Sequence, residues 1–307
     1  MNGVVSAVST NQGNLVQYIE VWHVEEDGQT MRLQNHARLR GSVVDFGTSD
    51  RKIRSGEGIA GMAWNQRHAV ILQETPSDLL QRIGTQNRLN LTALVAYPIM
   101  RGHDVLSVVV FGIGDGPGAF EIWSRDDRDE LSVSASYYSG LKNLEFMSRY
   151  VRFPKGAGLP GTVWKTGLPK LVPDLAHNAS FMRSFDADET QLSTALGLPV
   201  GSTAGHAESI LLLLSSQAMP IARAFEIWTP HVVTDDSIEF QCSAADWSAE
   251  DSDGDRPSVE YHGTLRSVWT TGLPVFATGT NSPSVRALLA VPVYRSNERV
   301  AIVVFVF

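Results

Sequence analysis

Three short segments of the chain repeat one pattern, an apolar residue, glutamate, an apolar residue and tryptophan. They are Ile19-Glu20-Val21-Trp22, Phe120-Glu121-Ile122-Trp123 and Phe225-Glu226-Ile227-Trp228. A second tryptophan follows each at nearly constant distance: Trp64, Trp164 and Trp269 stand 42, 41 and 41 residues later. A third mark is an apolar-Pro-apolar tripeptide that opens a strongly apolar run, as Tyr97-Pro98-Ile99, Leu198-Pro199-Val200 and Val291-Pro292-Val293. Six of the seven tryptophans occupy these slots, which chance does not produce. The 307 residues therefore read as three consecutive copies of one unit, with boundaries at 1–118, 119–222 and 223–307.

Each copy reads coarsely in the same way. The Glu-x-Trp segment alternates as a strand does. A polar turn follows, then a second alternating run such as Leu131 to Ala135, which together make a β-hairpin. Next comes a glycine-rich loop, Gly56-Glu57-Gly58-Ile59-Ala60-Gly61 or Gly156-Ala157-Gly158-Leu159-Pro160-Gly161, leading into a short helix with the second tryptophan. Gly167-Leu168-Pro169 and Gly272-Leu273-Pro274 end that helix, because glycine supplies the C-cap and proline cannot continue it. Two apolar strands close the copy. Hairpin, helices, hairpin predicts an α+β fold in which each unit is a central antiparallel sheet with helices packed on one face. The third copy is shortened: 34 and 35 residues separate the second tryptophan from the proline in the first two copies, but 23 in the third. Its loop, Tyr261 to Arg266, also lacks the glycine triplet.

The second copy carries the string Phe153-Pro154-Lys155-Gly156-Ala157-Gly158-Leu159-Pro160-Gly161-Thr162-Val163-Trp164, then Gly167-Leu168-Pro169, Val172-Pro173-Asp174 and Phe181-Met182-Arg183. This string resembles the GAF domain family, in the form found in bacterial two-component sensors. The resemblance spans about residues 119–216. It extends to 15–114 through Gly56, Gly58, Gly61, Trp64 and Pro98, and more faintly to 223–307. It implies a small-molecule pocket between the sheet and the middle loops and helices, in modules that bind cyclic nucleotides, tetrapyrroles, metabolites or redox cofactors, or that have lost any ligand and serve for dimerisation. Carried over to the second copy, the pocket residues are Tyr137, Phe153, Trp164, Asp174, Phe181 and Arg183, with Arg183 as the polar anchor and Asn178–Thr194 as a lid.

Composition narrows the function further. A net charge of −8, with no run of lysine and arginine, makes nucleic acid and anionic lipid poor partners. A small-molecule ligand and a protein partner or homo-oligomer are expected instead. The first basic residue is Arg32, and the longest apolar runs fall far short of a membrane helix, so a cytoplasmic location is expected. The single cysteine, Cys242, permits neither an intrachain disulfide nor a two-cysteine redox cycle, and makes bilin attachment an unfavoured reading.

Gly156, Gly158 and Gly161 fit a dinucleotide fingerprint, but the helix after them allows barely two turns, so they read as structural. The acidic run 250–255 does not complete a calcium loop, since His262 stands at its twelfth position. The eight histidines show no zinc spacing. No catalytic residue, metal or cofactor is assigned by the sequence, and a non-enzymatic sensory protein without its own output domain is expected. The alternative is a scaffold or oligomerisation protein built from ligand-free modules. In that reading the apolar C-terminal strand Ala301–Phe307, if it lies at a sheet edge, pairs with another subunit.

Overall fold

The computed structural model describes residues 13–40, 43–73, 89–178, 192–233, 238–247, 262–278 and 285–307. Three antiparallel sheets succeed one another along the chain. The first holds β1 (Val16–Val24), β2 (Thr30–Arg40), β3 (Val43–Gly47), β4 (Lys52–Arg54), β5 (Val70–Leu72), β6 (Ala93–Arg101) and β7 (Asp104–Ile113). Its order is β3-β2-β1-β7-β6-β5, with β4 also on β2. The second, of β8 (Gly118–Arg125), β9 (Leu131–Ser139), β10 (Lys170–Val172), β11 (Leu192–Thr203) and β12 (His206–Ser216), runs β10-β11-β12-β8-β9. The third, of β13 (Ala224–Val233), β14 (Ile238–Trp247), β15 (Val275–Thr278), β16 (Ala287–Arg295) and β17 (Glu298–Val306), runs β14-β13-β17-β16-β15. Apart from β3 and β4, the three strand orders are the same.

Helices lie on one face of each sheet: α1 (Gly58–Gln66) on the first, α2 (Lys142–Ser148) and α3 (Gly158–Thr166) on the second, and α4 (His262–Thr271) on the third. Gly167 ends α3 at φ +64, its N–H bonded to the Val163 carbonyl, as the glycine signal predicts. In the first sheet Arg67 takes that left-handed place at φ +54.

The opposite faces of the sheets pack on one another. Ile19, Val95 and Phe111 of the first sheet, Phe120, Leu198 and Leu211 of the second, and Phe225, Val291 and Phe305 of the third belong to one buried cluster. β6, β11 and β16 contact one another within it. With a helix on one side and two other sheets on the other, the central strands have no wet face. That explains why β6, β12 and β17 read as continuous apolar runs where a half-exposed strand alternates.

Two expectations need correction. The proline marks do not open their strands but sit within them. Pro98, Pro199 and Pro292 are tolerated because the short neighbours β5, β10 and β15 have ended: β5 pairs only with Leu94–Ala96, β10 with residues 195–197 and β15 with 287–290. The C-terminal strand is not an edge. β17 lies between β13 and β16, and Ala301 to Phe307 are buried, so no open edge awaits another subunit there.

Candidate functional site

Glutamate and tryptophan two apart on a strand share a face, and in all three sheets that face lies under the helices. Glu20, Glu121 and Glu226 are 1%, 0% and 2% exposed. Burying a carboxylate is costly unless donors meet it, and each is met. Glu20 accepts from the Tyr18 hydroxyl and the Trp22 indole N–H, both at 2.9 Å. Glu121 accepts from Trp123 Nε1 at 2.8 Å, Tyr138 Oη at 2.6 Å and Ser148 Oγ at 3.1 Å. Glu226 accepts from Trp228 Nε1 at 2.7 Å and Trp247 Nε1 at 3.2 Å.

Aromatic side chains gather near the carboxyl group of the second sheet. Phe153, 3% exposed, meets Trp123 edge to face at 4.9 Å. Trp164 of α3, 5% exposed, joins the same cluster, and Lys155 Nζ lies 5.6 Å from its ring centroid. The single hydrogen of the Ser148 hydroxyl is shared between Glu121 at 3.1 Å and the Leu144 carbonyl at 2.7 Å, which ties α2 to the sheet. The result is a buried carboxyl group met by the chain's own indole and hydroxyl donors, in one region with the Phe153 and Trp164 rings.

The six residues expected from the sequence divide. Phe153 and Trp164 come together beneath the helices. Asp174 does not reach them: it is exposed, in left-handed backbone at φ +52, and its carboxylate pairs with His177 Nδ1 at 2.8 Å. Tyr137 stands on the opposite face, against the cluster between sheets, and donates to Thr92 Oγ1 of the first sheet. Its neighbour Tyr138 occupies the helix side instead. Phe181 and Arg183 lie outside the described residues, as do most of the expected lid and the acidic run 250–255. Sequence reasoning missed Glu121, Tyr138 and Ser148. The signal was available in the threefold recurrence of Glu at a fixed place before Trp.

Among the described residues no group of histidine, cysteine, aspartate and glutamate could hold a metal ion. No helix among them is long and apolar enough to cross a membrane.

No family model matches the chain, and no curated protein matches it. Similar solved structures include the GAF domain of A. aeolicus nlh2 in an inactive state, 21% identical over 32% of this chain and 57% of that one, TM-score 0.26. This chain thus spans little more than half of that relative's length. A Staphylococcus aureus NreA mutated in its nitrate binding site is 22% identical over 35% of this chain and 80% of that one, TM-score 0.27. The fRMsr of Staphylococcus aureus, solved in complex with substrate, is 16% identical over 33% of this chain and 56% of that one, TM-score 0.23. At these TM-scores the likenesses carry no functional assignment. The expectation of a non-enzymatic chain is withdrawn, since the similar structures include one solved in complex with a substrate.

Proposed function

We propose that the chain is a sensory protein of three consecutive GAF-type modules, at 1–118, 119–222 and 223–307, that binds a small molecule on the helix-covered face of the second. The supporting observation is the Glu121 carboxylate, buried with Trp123, Tyr138 and Ser148 as donors and with Phe153 and Trp164 as aromatic walls. The sequence adds the segment with Phe181 and Arg183, whose guanidinium would anchor an anionic part of the ligand. NreA, with its nitrate binding site, illustrates the kind of small ligand a protein of similar fold takes.

Native mass spectrometry of protein from its own host, beside the same sample denatured, tests the reading. A mass excess that disappears on denaturation, and that Arg183→Ala abolishes while the unfolding midpoint holds, supports it. A clean chain mass from the host, with no excess, counts against it.

A second reading, a protein partner, is favoured by α2. Phe146, Met147 and the adjoining Tyr150 are 56%, 47% and 70% exposed. If they form a contact, a Phe146→Ser/Tyr150→Ser variant loses a co-purifying chain that the native protein retains.

A further inference from the structure

Where one sheet meets the next, the contacts repeat. Between the first and second sheets, the turn after α1 presents His68. Its Nδ1 lies 2.9 Å from the Ala69 carbonyl and so carries the hydrogen, leaving Nε2, 3.1 Å from Ser124 Oγ, to accept from that hydroxyl. β5 packs against β9 in the same joint, and the Gln73 amide donates to the Ser136 carbonyl at 3.1 Å. Between the second and third sheets, β10 packs on β13 and β14, and the Thr194 hydroxyl donates to Asp246. Between the third and the first, Phe276 of β15, the strand after α4, stacks on Phe46 of β3 at 5.7 Å and 10°. In each joint the strand behind a helix packs against the hairpin edge of the following sheet, at β9, β14 and β3. Three such head-to-tail contacts close on themselves, as a cyclic assembly does.

The residue that His68 meets has a particular place. Ser124 follows Trp123, the tryptophan whose indole N–H is fixed by Glu121. On the helix side the connection is stiff. The Arg67 N–H bonds back to Trp64, and the His68 N–H to Ala63, so α1 and His68 move as one body. Few soft dihedrals separate the helix over one sheet from the Glu-x-Trp strand of the next.

We propose that this ring couples the helix-covered faces, so that lifting the helix over one sheet shifts the Glu-x-Trp strand of the sheet that follows. The natural trigger, a ligand beneath a helix, rests on the function proposed above. The mechanical link does not, and close-packed joints of this kind move between discrete arrangements rather than deforming smoothly.

The test needs no ligand. Ala63, on the inner face of α1, is fully buried against the first sheet's core, so Ala63→Leu overpacks that interface and lifts the helix. In protein labelled with 5-fluorotryptophan, with Trp123 assigned through Trp123→Phe, Ala63→Leu is expected to move the Trp123 fluorine resonance by more than its linewidth. In a His68→Ala background the same substitution should leave it in place. Ala63→Ser, which adds little volume, serves as the control, and Ala60→Val replaces Ala63→Leu if the larger side chain prevents folding. A Trp123 resonance that ignores the lifted helix overturns the proposal, as does one that moves equally without His68. Because no ligand enters, failure here is distinct from failure to find a bound molecule in the second sheet.

Discussion

Three neutral donors converge on the Glu121 carboxylate, and two of them, Tyr138 and Ser148, come from β9 and α2. Removing the acceptor takes it from the buried Trp123 indole and the half-buried Tyr138 hydroxyl, at about 1–3 kcal/mol for each left unsatisfied, whereas Ser148 keeps the Leu144 carbonyl. The loss is partly offset because the polar carboxyl group no longer has to be kept out of water. Glu121→Ala is therefore expected to lower stability by about 3 kcal/mol in urea unfolding, and Glu121→Gln by less, since its carbonyl still accepts. Equal losses for the two variants would show that shape, not hydrogen bonding, is what Glu121 provides. His23 gives a pH signature. Burial lowers its pKa from 6.5 to about 4, with the Pro274 backbone acting in the opposite direction. A base with a depressed folded-state pKa takes up protons more readily when unfolded. Stability is thus full above about 6.5 and falls as pH drops toward 4, by about 3 kcal/mol in all. Glu25, held down to about 2 by Lys52 first and then by Thr30 and Arg32, acts lower, its contribution disappearing between 4.5 and 2. Unfolding midpoints of His23→Gln should be nearly flat from pH 6.5 to 4.5, where the native chain declines.

The two tyrosines show what sequence can and cannot resolve at this scale. Val133 packs on the helix side, and strict alternation would put Ala135 and Tyr137 there too. Both pack on the inner cluster instead. A register shift between Ile122 and Trp123 inserts one residue into β9, and one residue exchanges the faces. A bulge of that kind leaves no compositional mark, so Tyr137 is read for Tyr138. The glutamates were visible but undervalued. A polar residue between apolar ones suggests a half-wet strand, and only sheets some hundred residues away make that strand dry on both sides.

Among the elements, the glycine loops were the most legible because their backbone conformation is local. Gly58 and Gly158, at φ +61 and +59, both open helices from the left-handed region. They differ in surroundings. A Cβ on Gly58 meets nothing within 4 Å, whereas one on Gly158 falls 2.6 Å from the Phe153 ring. Gly58→Ala should cost the conformational term alone, about 1–2 kcal/mol. Gly158→Ala should lose about 1–3 kcal/mol more, because Phe153 is locked between Trp123 and the loop and cannot retreat. The difference between the two unfolding free energies is the quantity to measure, and near equality would mean that Phe153 gives way. Strand existence was equally legible, but strand order was not. Nothing in Ala301–Phe307 says whether it is central or at an edge. β17 is central because β13, some seventy residues earlier, occupies its free side.

For the whole molecule, the decisive contacts are those of the cluster shared by the sheets. The Phe305 ring lies 5.5 Å from Phe111 of the first sheet and 5.5 Å from Phe225 of its own. Tyr97 of the first sheet donates to the Pro199 carbonyl of the second at 2.9 Å. A single sheet freed from the other two would expose its whole inner face, so unfolding any one of them uncovers apolar surface on its neighbours. The three units should therefore unfold together, although each has its own outer core beneath its helices. Phe305→Ala in the shared cluster and Phe153→Ala in the outer core of the second sheet separate the cases. Each deletes a buried ring and should lower stability by about 3–5 kcal/mol. In a cooperative molecule both variants keep one transition, with far-ultraviolet circular dichroism and tryptophan fluorescence coincident. If the sheets were independent, Phe153→Ala would split off an early transition carrying about a third of the ellipticity. A single transition for both would mean that a helix-covered face cannot loosen far without the shared cluster resisting, which is the stiffness that coupling around the ring requires.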